Sequence, residues 1–259
     1  MAGKLMNAWA AAGEKPDILY WVGCAVALDD RAQRIARAFT KLLDAAGVRW
    51  GVLGTDESCT GDPAKRAGND FLFQLLAHQN IQTLNAYEVK EIVTTCPHCF
   101  NTLKNEYPQL GGTYIVWHHT QYLYKLVKEG KLRLPDTANG EAVVFHDPCY
   151  LGRGNGEYEA PRVLLRKAQL HLQEAPRSRD FSLCCGAGGG QMFKEPEPGR
   201  KDINIERTEE LLALAPKRIA VGCPFCMTML TDGVKHAGQQ KEVRVQDVAE
   251  ILAERLGLV

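Results

Sequence analysis

The sequence carries no excess of charge of either sign: 31 Lys and Arg stand against 31 Asp and Glu, for a formal net charge of zero. Nucleic acid and anionic lipid would find no broad basic face, so neither is expected as a partner. Also missing is any apolar run near the roughly 18–20 residues that a bilayer-spanning helix needs. The opening residues, MAGKLMNAWAAAG, hold one early Lys, but their apolar stretch is too short and broken for a secretory signal. The chain is therefore expected in the cytoplasm, where thiols stay reduced and clustered cysteines point to metal rather than to disulfides. Glycine-rich phosphate loops are missing too. GRGNGE (152–157) and GAGGG (186–190) lack the Lys-Ser/Thr pair of a P-loop, and both lie next to a cysteine, so they read as turn geometry. What remains is a 259-residue chain, 45% hydrophobic and 24% charged, long enough for one large or two modest cores.

Nine cysteines, an odd number, make a poor disulfide framework, but their spacing is informative. From Cys24 it is 35 residues to Cys59, 37 to Cys96 and three to Cys99, in CPHC. From Cys149 it is 36 to Cys185, 38 to Cys223 and three to Cys226, in CPFC. Matching cysteines are offset by 125, 126, 127 and 127 residues, which is an internal repeat with Cys184 as the single extra. The surrounding pattern repeats as well. PDILYWVGC and EAVVFHDPC read as strands ending at a cysteine, each followed by a helical pattern: RAQRIARAFTKLLDAAG, closed by Gly47, and APRVLLRKAQ, opening near Pro161. VRWGVLG, running toward ESCTGD, and DFSLCCG are expected as second strands; VKEIVTTCPHC and PKRIAVGCPFC as third strands. Each half then carries helix, strand and helix.

Strands alternating with helices predict an α/β protein, here two tandem pseudo-symmetric units, each a parallel-type sheet flanked by helices. The expected boundaries are an N-terminal extension at 1–18, a first domain at 19–133, a linker at 134–141 (LPDTANGE) and a second domain at 142–259. The extension reads either as a short helix that docks on a partner or as an unstructured tail. Open parallel sheets gather ligand-binding loops at the carboxyl ends of their strands, so three loops of each half can converge on one metal centre.

Two metals compete for these thiols. Zinc takes four nitrogen or sulfur ligands and usually announces itself by two C-x-x-C pairs. Each half has one such pair and two distant cysteines, and the second half offers five thiols, one too many for zinc or for a simple four-cysteine cluster. Iron–sulfur clusters are also thiolate-bound, often at C-x-x-C spacing.

Cys149, CCG at 184–186 and CPFC at 223–226 resemble the cysteine-rich CCG domain of heterodisulfide reductase catalytic subunits, found also in iron–sulfur subunits of glycolate and lactate oxidation. HDPCYLGRGNGEYEAPR, CCGAGGGQMF and CPFCMTMLTDGV look most similar to membrane-linked iron–sulfur oxidoreductases associated with electron-transfer flavoprotein and acyl-CoA metabolism. The resemblance runs from about Tyr20 to the end. It implies a non-cubane 4Fe-4S cluster on Cys149, Cys184, Cys185, Cys223 and Cys226. The first half departs from the five-cysteine pattern, with Ser58 where a full motif has a second cysteine. Cys24, Cys59, Cys96 and Cys99 then imply an ordinary 4Fe-4S cluster or another four-thiolate cluster.

What the resemblance implies for function is an iron–sulfur redox subunit of a larger oxidoreductase. It would pass electrons between a flavoprotein or ferredoxin-like partner and a quinone-linked acceptor, reached through a membrane quinone or haem subunit. The expected placement is cytoplasmic, with peripheral attachment to the membrane through that complex as an option. The alternative is a heterodisulfide-reductase-like catalytic subunit that cleaves a disulfide at the cluster of Cys184 and Cys185; a third reading is a zinc-stabilised interaction module. Among the histidines, His98 is expected behind the ligands, and His118 and His119 as structural. His146 stays open between a tuning and a structural role. Lys65, Arg66, Arg153 and Lys194 read as a solvated face.

Overall fold

The computed structural model describes residues 3–137, 140–195 and 198–259. Residues 1–2 of the N-terminal extension and 138–139 of the linker thus lie outside the described residues. The chain divides into two compact units, Met1–Arg133 and Leu134–Val259.

The first unit is built on five strands: β1 (Lys4–Leu5), β2 (Ile18–Trp21), β3 (Trp50–Val52), β4 (Glu91–Thr94) and β5 (Ile115–His118). They lie in the order β1-β3-β2-β4-β5, all parallel, with Leu19, Tyr20 and Trp21 of β2 opposite Ile92, Val93 and Thr94 of β4. Every residue of β2 is buried, as befits a central parallel strand covered on both faces. The helix Gln33–Ala45 buries Ile35, Ala38, Phe39, Leu42 and Leu43, the three-and-four spacing of one helical face, and stops at Gly47. The N-terminal segment is part of this unit and does not hang free. Its short strand lengthens the sheet beside β3. The helix Met6–Ala11 buries Met6 and Trp9, and Trp9 Nε1 donates to Trp50 O at 3.3 Å.

The second unit has four strands: β6 (Ala142–Phe145), β7 (His171–Gln173), β8 (Arg218–Val221) and β9 (Arg244–Asp247). Their order, β7-β6-β8-β9, repeats that of the first sheet without its extra edge strand, and all pairs are parallel. The two all-parallel sheets, each flanked by helices, are the α/β repeat that the cysteine spacing predicted.

One strand lies elsewhere than expected. The strand that pairs with β6 on its outer side is His171–Gln173, whereas the stretch DFSLCCG overlaps a single 3₁₀ turn at Arg179–Phe181 and continues as irregular backbone. Similarly β3 ends at Val52, seven residues before Cys59. The middle ligand loop of each unit is therefore long. Its cysteines are carried past the sheet rather than held at a strand tip.

In both units the chain leaves the central strand for one neighbour and then crosses to the other side, which opens a switch point between β2 and β4, and between β6 and β8. Cys24 and Cys96 follow the two strands of the first switch point; Cys149 and Cys223 follow those of the second.

Candidate metal centres

Each C-x-x-C begins a helix. Cys96 and Cys223 are N-cap residues, Pro97 and Pro224 take the first helical position, where a missing N–H costs nothing, and Cys99 and Cys226 follow one turn in. Cys24 opens the short helix Cys24–Leu28, while Cys149 sits in the turn after β6. The third loop of each unit supplies Cys59 or the pair Cys184 and Cys185.

In the first unit these loops meet. Cys24 hydrogen-bonds with Cys59, Cys96 with Cys99, and Cys99 also feels the charges of Cys24 and Cys59. Cys24 is pushed well above the usual thiol range by its bond to Cys59 and by burial. Cys59 is lowered to about 6, because Cys24 and the Gly61 N–H (3.5 Å from Sγ) donate to it. Thr60 Oγ1 lies 3.9 Å from Cys99 Sγ. Gly23, at φ +77°, leaves room where a Cβ would come within 3.2 Å of Cys99 Sγ. The loop with Cys59 is pinned by buried Asn80. Its Oδ1 accepts from Ser58 N (3.2 Å), and its Nδ2 donates to Cys59 O and to Tyr107 Oη, both at 3.0 Å. The loop with Cys24 is pinned by Glu57, which accepts from Gly23 N (2.6 Å) and Val22 N (3.0 Å); burial raises this carboxyl to about 7.

In the second unit all five thiols assemble. Cys184 accepts from both Cys149 and Cys185, which pull it far below the ordinary thiol range, with help from the Gly186 N–H at 3.3 Å. Cys149 is raised by its bond to Cys184 and by burial, and Cys226 by its bonds to Cys185 and Cys223. Gly186 has φ +91°, a conformation side chains resist, and this turns its N–H back onto Cys184.

The histidines divide. His98 is buried with Nδ1 2.9 Å from Asp62 Oδ2, behind Cys96 and Cys99. His118 and His119 are fully buried with ring centroids 4.3 Å apart, edge-on to Phe100 and Phe39 respectively, and His118 Nδ1 bonds Thr120 Oγ1 at 2.7 Å. They are core. His146 is different. A ring nitrogen of His146 and the sulfurs of Cys185 and Cys226 all lie within 4.8 Å of one another. Burial pushes its imidazole down to about 3, assisted by the charge of Arg207.

Of the four cations read as a solvated face, three are engaged. Lys65 and Arg66 pair with Glu106, Arg66 also with Asp62 (3.0 Å), and Arg153 donates to the carbonyls of Asp180 and Ser182. Lys194 lines a cavity of about 460 Å³ beside the second thiol set, with Gly186, Lys201, Ile203, Met229 and Asp232.

The buried arginines gave no sequence signal. Arg162 lies under the HDPC turn, donating to both Asp147 oxygens (2.6 and 2.8 Å) and both Glu174 oxygens (2.8 Å each). Arg207 lies beside His146. Both sit in helical stretches where an Arg ordinarily faces water, so only the fold discloses them.

The donors fit a thiolate-bound metal. The first set is sulfur alone, and crowding raises the pKa of most of the shifted thiols in both sets, so they resist ionising together. Coordination to a metal core reverses that cost, because a bound thiol loses its proton outright.

Two parallel-sheet units that gather cysteines at matching switch points define the class of protein. The model of the cysteine-rich domain named CCG matches twice, at residues 18–104 and 143–231, and the chain belongs to that family. It is 46% identical over 255 residues to the EtfAB:quinone oxidoreductase of Syntrophomonas wolfei, covering 96% of this chain and 36% of that protein. It is 47% identical over 243 residues to the "Probable iron-sulfur-binding oxidoreductase FadF" of Bacillus subtilis, covering 93% and 34%. With one of the chains of the dihydromethanophenazine:CoB–CoM heterodisulfide reductase of Methanosarcina barkeri the identity is 32% over 256 residues, covering 95% and 60%. The chain thus spans about a third of the first two relatives. Among solved structures, glutamate racemase RacE1 of Bacillus anthracis aligns with a TM-score of 0.37 at 14% identity, over 93% of this chain and 79% of that one.

Proposed function

We propose that the chain is the cysteine-rich redox portion of an iron–sulfur oxidoreductase, carrying electrons between a flavoprotein or ferredoxin-like donor and a quinone-linked acceptor. Cys24, Cys59, Cys96 and Cys99 would hold a 4Fe-4S cluster, and Cys149, Cys184, Cys185, Cys223 and Cys226 a non-cubane 4Fe-4S cluster. Clusters of these kinds, when bound, accept and release electrons one at a time. The protein's own residues supply position and field. Asn80 and Glu57 fix two ligand loops of the first unit, Arg162 fixes the HDPC turn of the second, and the Gly61 and Gly186 N–H groups donate to ligand sulfurs. The observation that carries this reading is the convergence of all nine thiols into one set of four and one of five. The relatives' names support it: they describe oxidoreductases, one of them acting on quinone and one on a heterodisulfide.

No helix among the described residues is long and apolar enough to cross a membrane. A relative from Chromohalobacter salexigens, 43% identical over 250 residues, is named a "Probable membrane-anchored ferredoxin". Our reading keeps this portion on the cytoplasmic side, joined to the membrane through the rest of its complex.

A second reading, cleavage of a disulfide at the five-thiol centre, is favoured by the cavity of about 460 Å³ that opens beside Gly186. Anaerobic purification tests both. The first reading expects brown protein with iron, acid-labile sulfide and two distinguishable EPR signals; colourless, iron-poor yet folded protein overturns it. Release of thiols from disulfides by the purified, reduced protein would move the assignment to the second reading.

A further inference from the structure

His146, Cys185 and Cys226 bring one nitrogen and two sulfurs within 4.8 Å of one another, which taken alone is the donor set of a mononuclear metal ion. The hydrogen bonding argues otherwise. Arg207 Nε donates to His146 Nδ1 at 3.1 Å. A guanidinium has donors and no acceptor, so Nδ1 must be accepting and carries no hydrogen. The ring is then the neutral tautomer with its hydrogen on Nε2, and neither nitrogen has a free lone pair to give a metal. His146 is held in this pose by its backbone N–H, which donates to Ala220 O at 2.9 Å and extends the pairing of β6 with β8.

Arg207 is itself locked. It is fully buried, and its Nη1 donates to Arg177 O (2.8 Å) and to Glu210 Oε2 (3.0 Å). Among the described residues its Nη2 is buried without a hydrogen-bond partner. A buried guanidinium only partly satisfied is an expensive way to fill space, so packing alone does not account for it.

We propose that Arg207 is a positioning residue that fixes His146 as an N–H donor to a sulfur of the five-thiol centre, and that this bond, not ligation, raises the reduction potential of the cluster there. The proposal rests on the cluster assignment above. Hydrogen bonds to cluster sulfurs stabilise the more negative, reduced state and so move the potential upward. The corresponding position in the first unit, three residues before Cys24, holds a different donor, Trp21, whose indole N–H is buried without a hydrogen-bond partner among the described residues.

The test uses protein purified with its clusters, ¹⁵N-labelled at histidine, poised in a paramagnetic state and read by ENDOR on the signal that Cys185→Ala removes. Expected are a weak ¹⁵N coupling and a proton coupling that disappears in D₂O. His146→Gln keeps an amide N–H near the place of Nε2. It should lose the ¹⁵N coupling, retain the exchangeable proton and keep its midpoint close to that of the parent. His146→Leu should lose both couplings and shift the midpoint to lower potential, and Arg207→Met should weaken the proton coupling and shift the midpoint in the same direction. A strong ¹⁵N coupling of a direct iron–nitrogen bond, or an unchanged midpoint in fully iron-loaded His146→Leu, overturns the proposal. If Arg207→Met fails to fold, the parent spectrum and the two His146 variants still decide the donor role, since both leave Arg207 paired with Glu210. Absence of any iron–sulfur signal dependent on Cys185 would overturn the cluster assignment, and this proposal with it.

Discussion

The two units share a strand order, yet their ligand loops are held by different chemistry. In the first, an amide and a carboxylate hold the backbone: Asn80 accepts from Ser58 N and donates to Cys59 O, and Glu57 accepts from Val22 N and Gly23 N. In the second, buried guanidinium groups take over, with Arg162 clamped between Asp147 and Glu174 and Arg207 against His146. The residues leading to the first cysteine differ accordingly, WVG before Cys24 against HDP before Cys149. A repeat thus preserves where ligands emerge from the sheet while the field around them diverges. Equivalent topology does not make equivalent surroundings for the cysteines.

The largest effect that would separate the two is loss of a ligand. Cys185→Ala should empty the second centre while largely sparing the first, and iron, sulfide and EPR measured together would show it; equal loss from both would mean the centres are not independent. Next comes the ion cluster. Arg162→Met leaves Asp147 uncompensated at 3% side-chain exposure and should cost about 3–5 kcal/mol, confined to the second unit. Denaturant unfolding followed by probes in each unit would reveal whether the loss stays there. Asn80→Ala should cost about 2–3 kcal/mol in the first unit, since Ser58, Cys59 and Tyr107 each lose a partner, and should hasten loss of iron from the first centre alone.

The smallest effect concerns pH. Glu141, just before β6, is held below the usual carboxylate range by its bond to Arg218 (2.8 Å). A folded-state pKa depressed in this way adds stability that is full above the unfolded value near 4.5 and drains away as pH falls through the folded value. Glu141→Gln should remove about 1–2 kcal/mol at neutral pH and flatten the acid limb of the second unit's stability curve, leaving the first unit's unchanged.

How far the sequence could be read follows from which signals are local. The cysteine offsets, the apolar runs before Cys24, Cys96, Cys149 and Cys223, and the helix Gln33–Ala45 closing at Gly47 are patterns of neighbours, and they disclose the sheets and the grouping of the cysteines. The strand His171–Gln173 loses out to DFSLCCG in such a reading because three residues with a half-exposed pattern carry less β signal than Phe181 to Cys185. The two-residue strand Lys4–Leu5 is shorter than any pattern can register. Arg207 and His146 are 61 residues apart, and Asn80 lies 21 from Cys59. Such contacts exist only once the helices have packed on the sheet.

The wide sequence separation of the cysteines bears on the order in which fold and proposed cluster would form. Cys24 and Cys99 are 75 residues apart, and Cys149 and Cys226 are 77, with helices and strands between them. Closing such loops on an inorganic core in an unfolded chain is entropically costly, whereas a finished parallel sheet delivers all three loops together. On the cluster assignment proposed above, iron and sulfide would complete a scaffold that has already taken shape instead of nucleating it.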